Sequence, residues 1–282
     1  MSLNITKHLE SLAQKDADIR RQAVADVLKA ENIAYTLQTS DVSKENPRGI
    51  CNYLFSTGNS KASLLFCAHY DSHPASCGAN DNASSVCILI ELAKTFEKEN
   101  ISANFAFFDG EEKGNAGSRL YVTEMDPNSI SAVVNLDVCG YGSNLVIHGN
   151  GYEKKSIFLN FCSKELLDSH RVQLMDYLPP SDDRIFSKKG IPTLSVAVVP
   201  YWDIQYLKTL ASYGSGILGR PPEFDMILGE MDVMNTMHGG QKDSVEWIEP
   251  EAMESVYNYL LDGIKIPVVE KKKKFNLLNI FG

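Results

Sequence analysis

Side chains of the kinds that hold metal ions stand just past three separate apolar runs. His69 and Asp71 follow LLFCA, Glu111 and Glu112 follow FAFFDG, and Asp137 follows AVVNL. Asp81 lies in GANDNASS, ten residues beyond Asp71, and His238 lies far downstream in TMHGGQKDS. Together His69, Asp81, Glu112, Asp137 and His238 offer imidazoles and carboxylates, the donors that a hydrolytic zinc takes while keeping a position open for water. The set suits two ions if one carboxylate bridges them, since paired metals clamp both the attacking and the departing oxygen. Glu111 and Glu112 are adjacent and cannot project identically, so the pair divides into one ligand and one proton-transferring base. Asp71, two residues after His69, is placed to accept a proton from the ring nitrogen that faces away from a metal.

Apolar runs that end in such side chains describe a site along one edge of a sheet, where open α/β folds bind their ligands. The surrounding pattern supplies that sheet. AYTLQT, GICNYLFS, SLLFCA, FAFFD, AVVNLDV and PTLSVAVV are predicted strands, SLLFCA being short, apolar and bounded by polar residues as buried strands are. SVCILIELAKTFEKE carries Val86, Leu89, Ile90, Ala93 and Phe96 at helical spacing behind the candidate caps Asn82 and Ser84. AGSRLYVTEM, SIFLNFCSKELLDS and EAMESVYNYLLDGI are further predicted helices, the last opened by Pro250 and Glu251. This alternation predicts a three-layer α/β/α fold around a central mixed, mostly parallel sheet.

One domain over residues 1–282 is the economical arrangement. Residues 1–31 are predicted to form one or two amphipathic helices against the sheet. Residues 200–237, rich in Gly, Pro, Tyr and Met without a clean period, are expected to be an irregular cover over the site. Residues 268–282, which include KKKKFNLLNIFG, are expected to be a flexible tail.

At 44% hydrophobic and 22% charged residues the composition is globular, and a net charge of −9 argues against a general nucleic-acid binder. Cys51, Cys67, Cys77, Cys87, Cys139 and Cys162 form no CxxC pair, and several lie in apolar runs, so they read as reduced structural thiols. The first residues contain no apolar stretch of signal-peptide length, and no run of about eighteen apolar residues occurs. A cytoplasmic protein without stable membrane insertion is the expectation, unless a signal once preceded Met1.

HYDSHP, GANDNASS, FFDGEEKGNAGSR, NLDVCGYG, PPSDDRIFSKKGIPT and the segment around His238, in this order, resemble the co-catalytic dizinc aminopeptidases of the bacterial leucyl aminopeptidase type. The resemblance runs over about residues 62–265 and implies a zinc exopeptidase fold of the phosphorylase/hydrolase-like kind. It implies that Asp81 bridges two zinc ions, with His69 and Asp137 completing one site and Glu112 and His238 the other. Glu111 matches the family's general base, Asp71 the partner that orients the histidine, and the Asp81–Asn82 peptide is expected to be cis. The implied substrate is a peptide with a free N-terminus, its oxyanion resting on zinc and on a tyrosine hydroxyl, for which Tyr201, Tyr206 and Tyr213 are candidates.

Three residues depart from the family pattern. Ser85 stands where glycine is usual, Asp183 where a histidine is often found, and Asp243 lies five residues after His238 rather than four. The motifs are more distantly similar to glutaminyl-peptide cyclotransferases, which typically hold one zinc. The GYG after Asp137 and the lack of a tryptophan-bearing insertion after Glu112 favour the peptidase. A binding homologue that lost turnover is disfavoured by the complete set of ligands and base. None of the remaining histidines is needed to close the metal count: His73 precedes a proline in a loop near the site, and His8, His148 and His170 read as solvent-facing or satisfied in the core.

Overall fold

Strands that are apolar along their whole length need cover on both faces. The computed structural model, which describes residues 3–44, 46–126, 129–213 and 221–265, provides it. The chain runs α1 (Leu9–Leu12), α2 (Ala17–Ala30), β1 (Thr36–Thr39), β2 (Cys51–Thr57), β3 (Leu64–His69), α3 (Ser84–Glu99), β4 (Ala103–Phe108), α4 (Ala116–Glu124) and β5 (Ala132–Leu136). It continues through β6 (Asn144–His148), α5 (Lys164–His170), β7 (Gln173–Leu174), α6 (Asp183–Ser187), β8 (Thr193–Val199), α7 (Asp203–Tyr213), α8 (Pro222–Gly229) and α9 (Pro250–Lys265). The strands form one eight-stranded sheet in the order β1-β2-β4-β3-β5-β8-β6-β7. The centre, β4-β3-β5-β8, is parallel, as is β6 with β7, while β1, β2 and β6 enter antiparallel.

Alternate residues of each strand feed different layers. Phe66 and Ala68 of β3, Val134 of β5 and Val196 of β8 pack with α2, α3 and α9. Leu65 and Cys67 of β3, Ala106 and Phe108 of β4 and Val133 of β5 pack on Phe186 of α6 and on Tyr121 and Val122 of α4. Val146, Ala197 and Val199 meet Ile204, Leu207 and Leu210 of α7 and Phe224 of α8. The strand after β3 adds on one side of it and the strand after β4 on the other. The crevice at the carboxyl ends of β3 and β5 is therefore a switch point, the place where such sheets open to ligands.

Several elements differ from the sequence expectations. Residues 200–237 are not irregular throughout, because α7 and α8 occupy much of the segment. Their apolar stripe, Ile204, Leu207, Leu210 and Phe224, is narrow and lies among the exposed Tyr201, Trp202 and Met226, which hides the helical period. SIFLNFCSKELLDS is not one helix: a single 3₁₀ turn at Ser156–Phe158 is followed by α5, whose N-cap Ser163 accepts from Leu166 N–H at 3.3 Å. Neither Asn82 nor Ser84 caps α3. The Asn82 side chain is engaged at the end of β5, and Ser84 Oγ donates to Asn80 O. The short strands β6 and β7 were not anticipated. The expected flexible tail, residues 268–282, lies outside the described residues. Among those residues no helix is long and apolar enough to cross a membrane.

Helix α2 starts at Asp16, whose carboxylate caps the Asp18 and Ile19 N–H groups, and ends against Glu31. Glu31 gathers Lys7 Nζ at 2.5 Å, His8 Nε2 at 2.6 Å and Lys94 Nζ at 2.8 Å, joining the N-terminal segment to α3. Burial works against its charge, but hydrogen bonds from Lys7, Lys94 and His8 outweigh it and hold the carboxyl at about 2, below the ordinary 4.5. A depressed carboxyl stabilises the fold above its unfolded pKa, and that contribution is lost as pH falls toward its folded value. Glu31→Gln should lower stability by about 1–2 kcal/mol at pH 7. The difference from wild type should shrink as pH drops from about 4.5 toward 2, read from urea unfolding at a series of pH values.

Candidate metal centre

His69 is the last residue of β3 and pairs in register with Phe108 of β4, and Asp137 follows the last residue of β5. Because β3, β4 and β5 run parallel, their ends meet, and His69, Asp81 and Asp137 each place a ligand atom within 4.8 Å of the others. His69 Nε2 stands 3.2 Å from Asp81 Oδ1 and 3.5 Å from Asp137 Oδ1. Its Nδ1 lies 3.1 Å from the backbone oxygen of Asp71 and 3.5 Å from the Asp71 carboxylate. The nearer partner of the ring is thus the main chain of Asp71. Its carboxylate instead accepts from the Glu111 N–H at 2.9 Å and the Glu112 N–H at 3.2 Å, tying the end of β4 to the end of β3.

Asp81 arrives in a short π-helical turn, Ala79–Ala83, whose backbone is not helical at Asp81 and Asn82, so side chains help to hold it. The Asp81–Asn82 peptide is cis. Asp243 Oδ1 accepts from the N–H groups of Asn80 at 2.9 Å and Asp81 at 3.2 Å. Asn82 Nδ2 donates to Leu136 O at 2.9 Å while its Oδ1 accepts from Val138 N–H at 3.3 Å, bracketing Asp137. The backbone N–H of His238 donates to Asp81 Oδ2 at 3.0 Å. His238 and Gly239 both have positive φ, and Lys242 pins the following turn to Asp232 Oδ1 and the Tyr141 hydroxyl, each at 3.0 Å.

The charge balance of this crevice is lopsided. Burial alone would strip the proton from His69, but contacts with Asp137, Asp71 and Asp81 reverse that and raise its proton affinity well above the ordinary value. Burial also opposes the Asp81 charge, which His69 and the His238 N–H nonetheless hold below the usual range. Glu111 is pushed up to about 9 by burial and by the negative charge of Asp137, Asp182 and Asp71 against the help of His69. Glu112 is pushed up to about 7 by burial and Asp81, again against His69. One imidazole faces more carboxylates than it can neutralise, a deficit that a divalent cation supplies. Two buried oxygens near it, Glu112 Oε1 and Asp137 Oδ1, have no hydrogen-bond partner. Donor types and orphaned atoms both fit zinc.

The predicted site residues separate into an inner group and a margin. His69, Asp81 and Asp137 converge. Glu112 is near enough to feel the charges of Asp81, His69, Asp71 and Asp137, and His238 enters through its backbone contact with Asp81; neither belongs to the converging group. Glu111 is oriented by Asn115, whose Nδ2 donates to Oε1 at 2.9 Å. Asn115 also reaches the fully buried Asp182 at 3.3 Å, which Ser118 Oγ holds at 2.6 Å and burial raises to about 6. Of the tyrosines, Tyr201 is exposed against Trp202, while Tyr206 and Tyr213 pack on the α7–α8 core. His73 lies against Gly239; His8, His148 and His170 hydrogen-bond to Glu31, Met175 and Asp262. Asn82, Asn115 and Asp182 carry no motif that marks them as site residues, and Asp243 stands out in the sequence only by its spacing from His238. Beside Asp137 a largely apolar cavity opens, walled by Leu178, Leu207, Leu228, Met231 and Met237 with Asp183 also on its lining.

Residues 52–261 match Peptidase family M28. Aminopeptidase YwaD of Bacillus subtilis is 35% identical over 212 residues, covering 73% of this chain and 41% of YwaD. The chain therefore spans less than half of that relative. Among solved structures, a Zn-dependent exopeptidase of Parabacteroides distasonis superposes with a TM-score of 0.63 at 16% identity, over 94% of this chain and 98% of that one. Glutaminyl cyclase of Porphyromonas gingivalis gives 0.65 at 15% identity, over 92% and 94%. At these identities the two structures share the fold.

Asp243 holds two buried N–H groups of the Asp81 loop. Asp243→Ala should cost about 1–3 kcal/mol in urea unfolding and weaken metal uptake measured by chelator competition; full stability with full metal uptake would contradict the role given to it.

Proposed function

We propose, on the premise that the chain belongs to peptidase family M28, that it is a zinc-dependent aminopeptidase that removes N-terminal residues from peptides. The observation that carries this reading is the convergence of His69, Asp81 and Asp137 donor atoms at the ends of β3 and β5. In this reading His69 and Asp137 would hold one zinc, Glu112 and His238 would hold a second, and Asp81 would serve both. Bound zinc supplies Lewis acidity toward the scissile carbonyl, lowers the pKa of water and anchors the free amino group of the substrate.

The remaining work belongs to the chain. The Glu111 carboxylate, oriented by Asn115, takes a proton from the attacking water and returns it to the leaving amine. Asp71 fixes that carboxylate's backbone and the His69 ring together, so ligand and base keep their relative position. Buried walls exclude bulk water and strengthen each of these contacts. The glutaminyl cyclase likeness carries the fold and gives cyclisation no advantage over hydrolysis.

Purified protein should contain close to two zinc ions per chain and hydrolyse aminoacyl anilides, with activity lost to chelator and restored by zinc. Glu111→Gln should lower kcat by about 10²–10⁴-fold while zinc content is unchanged. An unaltered rate would remove Glu111 from the chemistry. Zinc-loaded protein that leaves a broad anilide panel intact but releases ammonia from glutaminyl peptides would replace hydrolysis with cyclisation.

A further inference from the structure

An arginine in a protein interior is rare unless its donors are engaged, and Arg20 is 1% exposed. It sits in the first half of α2, outside residues 52–261 that match the family. Its guanidinium donates to carbonyls on three separate segments. Nε and Nη2 reach Gln14 O, the former at 2.8 Å; Nη2 also reaches Cys77 O; and Nη1 reaches Tyr70 O at 3.4 Å. Tyr70 lies between His69 and Asp71, and Cys77 begins the turn through Gly78 to Asp81. Gly78 has φ of 64°, and a Cβ there would overlap Arg20 Nη1 and come within 2.7 Å of Asp81 O, so guanidinium and ligand loop are in direct contact. Burial lowers the pKa of Arg20, and the charges of Asp71, Asp243 and Asp81 act against that.

We propose that Arg20 is a positioning residue of the metal centre, a fork that clamps the His69–Asp71 loop and the Cys77–Asp81 loop to α2 and so fixes the spacing of their ligand atoms. The inference rests on the zinc reading of the centre. Lysine cannot replace the fork: it keeps the charge but offers a single nitrogen on a flexible stem, which cannot span three carbonyls in one plane. Neighbouring Arg21 does a different job, donating to the Asp109 carboxylate and to Gly49 O and so docking α2 on the sheet.

The test is zinc affinity by chelator competition on the full chain, with thermal unfolding of the metal-free protein alongside. Arg20→Lys should bind zinc at least about tenfold more weakly, the usual effect of removing a group that orients ligands. Arg20→Ala should bind more weakly still and recover part of that loss in millimolar methylguanidinium. Glu31→Gln, which loosens α2 far from the centre, should reduce stability and leave zinc affinity within twofold of wild type. Wild-type affinity in Arg20→Lys, or an equal loss of affinity in Glu31→Gln, would overturn the clamp by reducing Arg20 to general helix docking. If Arg20→Ala does not fold, the Arg20→Lys and Glu31→Gln comparison decides alone. Wild-type protein that takes up no zinc would remove the function proposed above and this inference with it.

Discussion

Carboxylates taken out of water lose hydration and repel one another, and they stay charged only where donors or cations compensate. At the ends of β3, β4 and β5 the chain places Asp71, Asp81, Asp109, Glu111, Glu112 and Asp137, with Asp182, Asp183 and Asp243 closing in from later segments. Much of the surrounding structure answers this concentration of charge. Asp71 and Asp243 are each engaged by two backbone N–H groups, Asp109 by Arg21 and the Cys51 N–H, and Asp182 by Ser118 and Asn115. Four buried carboxylate oxygens among the described residues still have no hydrogen-bond partner, Glu112 Oε1, Asp137 Oδ1, Asp182 Oδ2 and Asp243 Oδ2. The first two belong to the group around His69, where metal chemistry would use them.

The parts of this arrangement that were legible in the sequence are those whose residue type and strand position agree. His69, Glu111, Glu112 and Asp137 follow apolar runs closely, and a sheet with both faces covered turns that pattern into a shared edge. Positioning residues carry no such signature. Nothing in the helical pattern of residues 1–31 sets Arg20 apart, and the meeting of α2 with two loops distant in sequence buries it. Asn82 before a helix reads as a cap, yet its amide bridges the end of β5. Asp71 two residues after His69 reads as a carboxylate partner for the ring, yet the ring's nearer contact is a carbonyl. For Arg20 and Asn82 the partner is set by tertiary contact, which local spacing does not encode; for His69 it is set by the local course of the backbone, which residue type does not reveal.

The cover was misread for a related reason. A helix that buries only a narrow stripe needs few apolar positions, and α7 and α8, packed on β6, β8 and each other, add exposed aromatic and sulfur side chains that blur the period further. Asp203 at the start of α7 accepts from the Asp232 and Val233 N–H groups at 2.9 and 2.8 Å, fixing the turn that follows α8. The same helices wall the cavity beside Asp137.

This divides the molecule by physical demand. The sheet edge must hold charged groups at fixed separations, which requires rigid strands and saturated hydrogen bonds. The cavity wall needs only apolar volume, supplied by Leu207, Leu228, Met231 and Met237, and methionine adjusts its shape without leaving polar groups unpaired. Asp183 breaks that pattern: it is a buried acid on an otherwise mostly apolar lining, held by the Ser181 N–H at 2.9 Å and Asn150 Nδ2 at 3.2 Å and raised above the usual carboxylate range by burial. Its donors come from the loop before α6 and from the loop after β6, elements that belong to the sheet side rather than to the cover. The acid is therefore fixed from the sheet side, while the walls around it are shared: Leu178, with Val196, Ala197 and Val199 of β8, lines the cavity together with Leu207, Leu228, Met231 and Met237, so the cover completes a shape that the sheet begins.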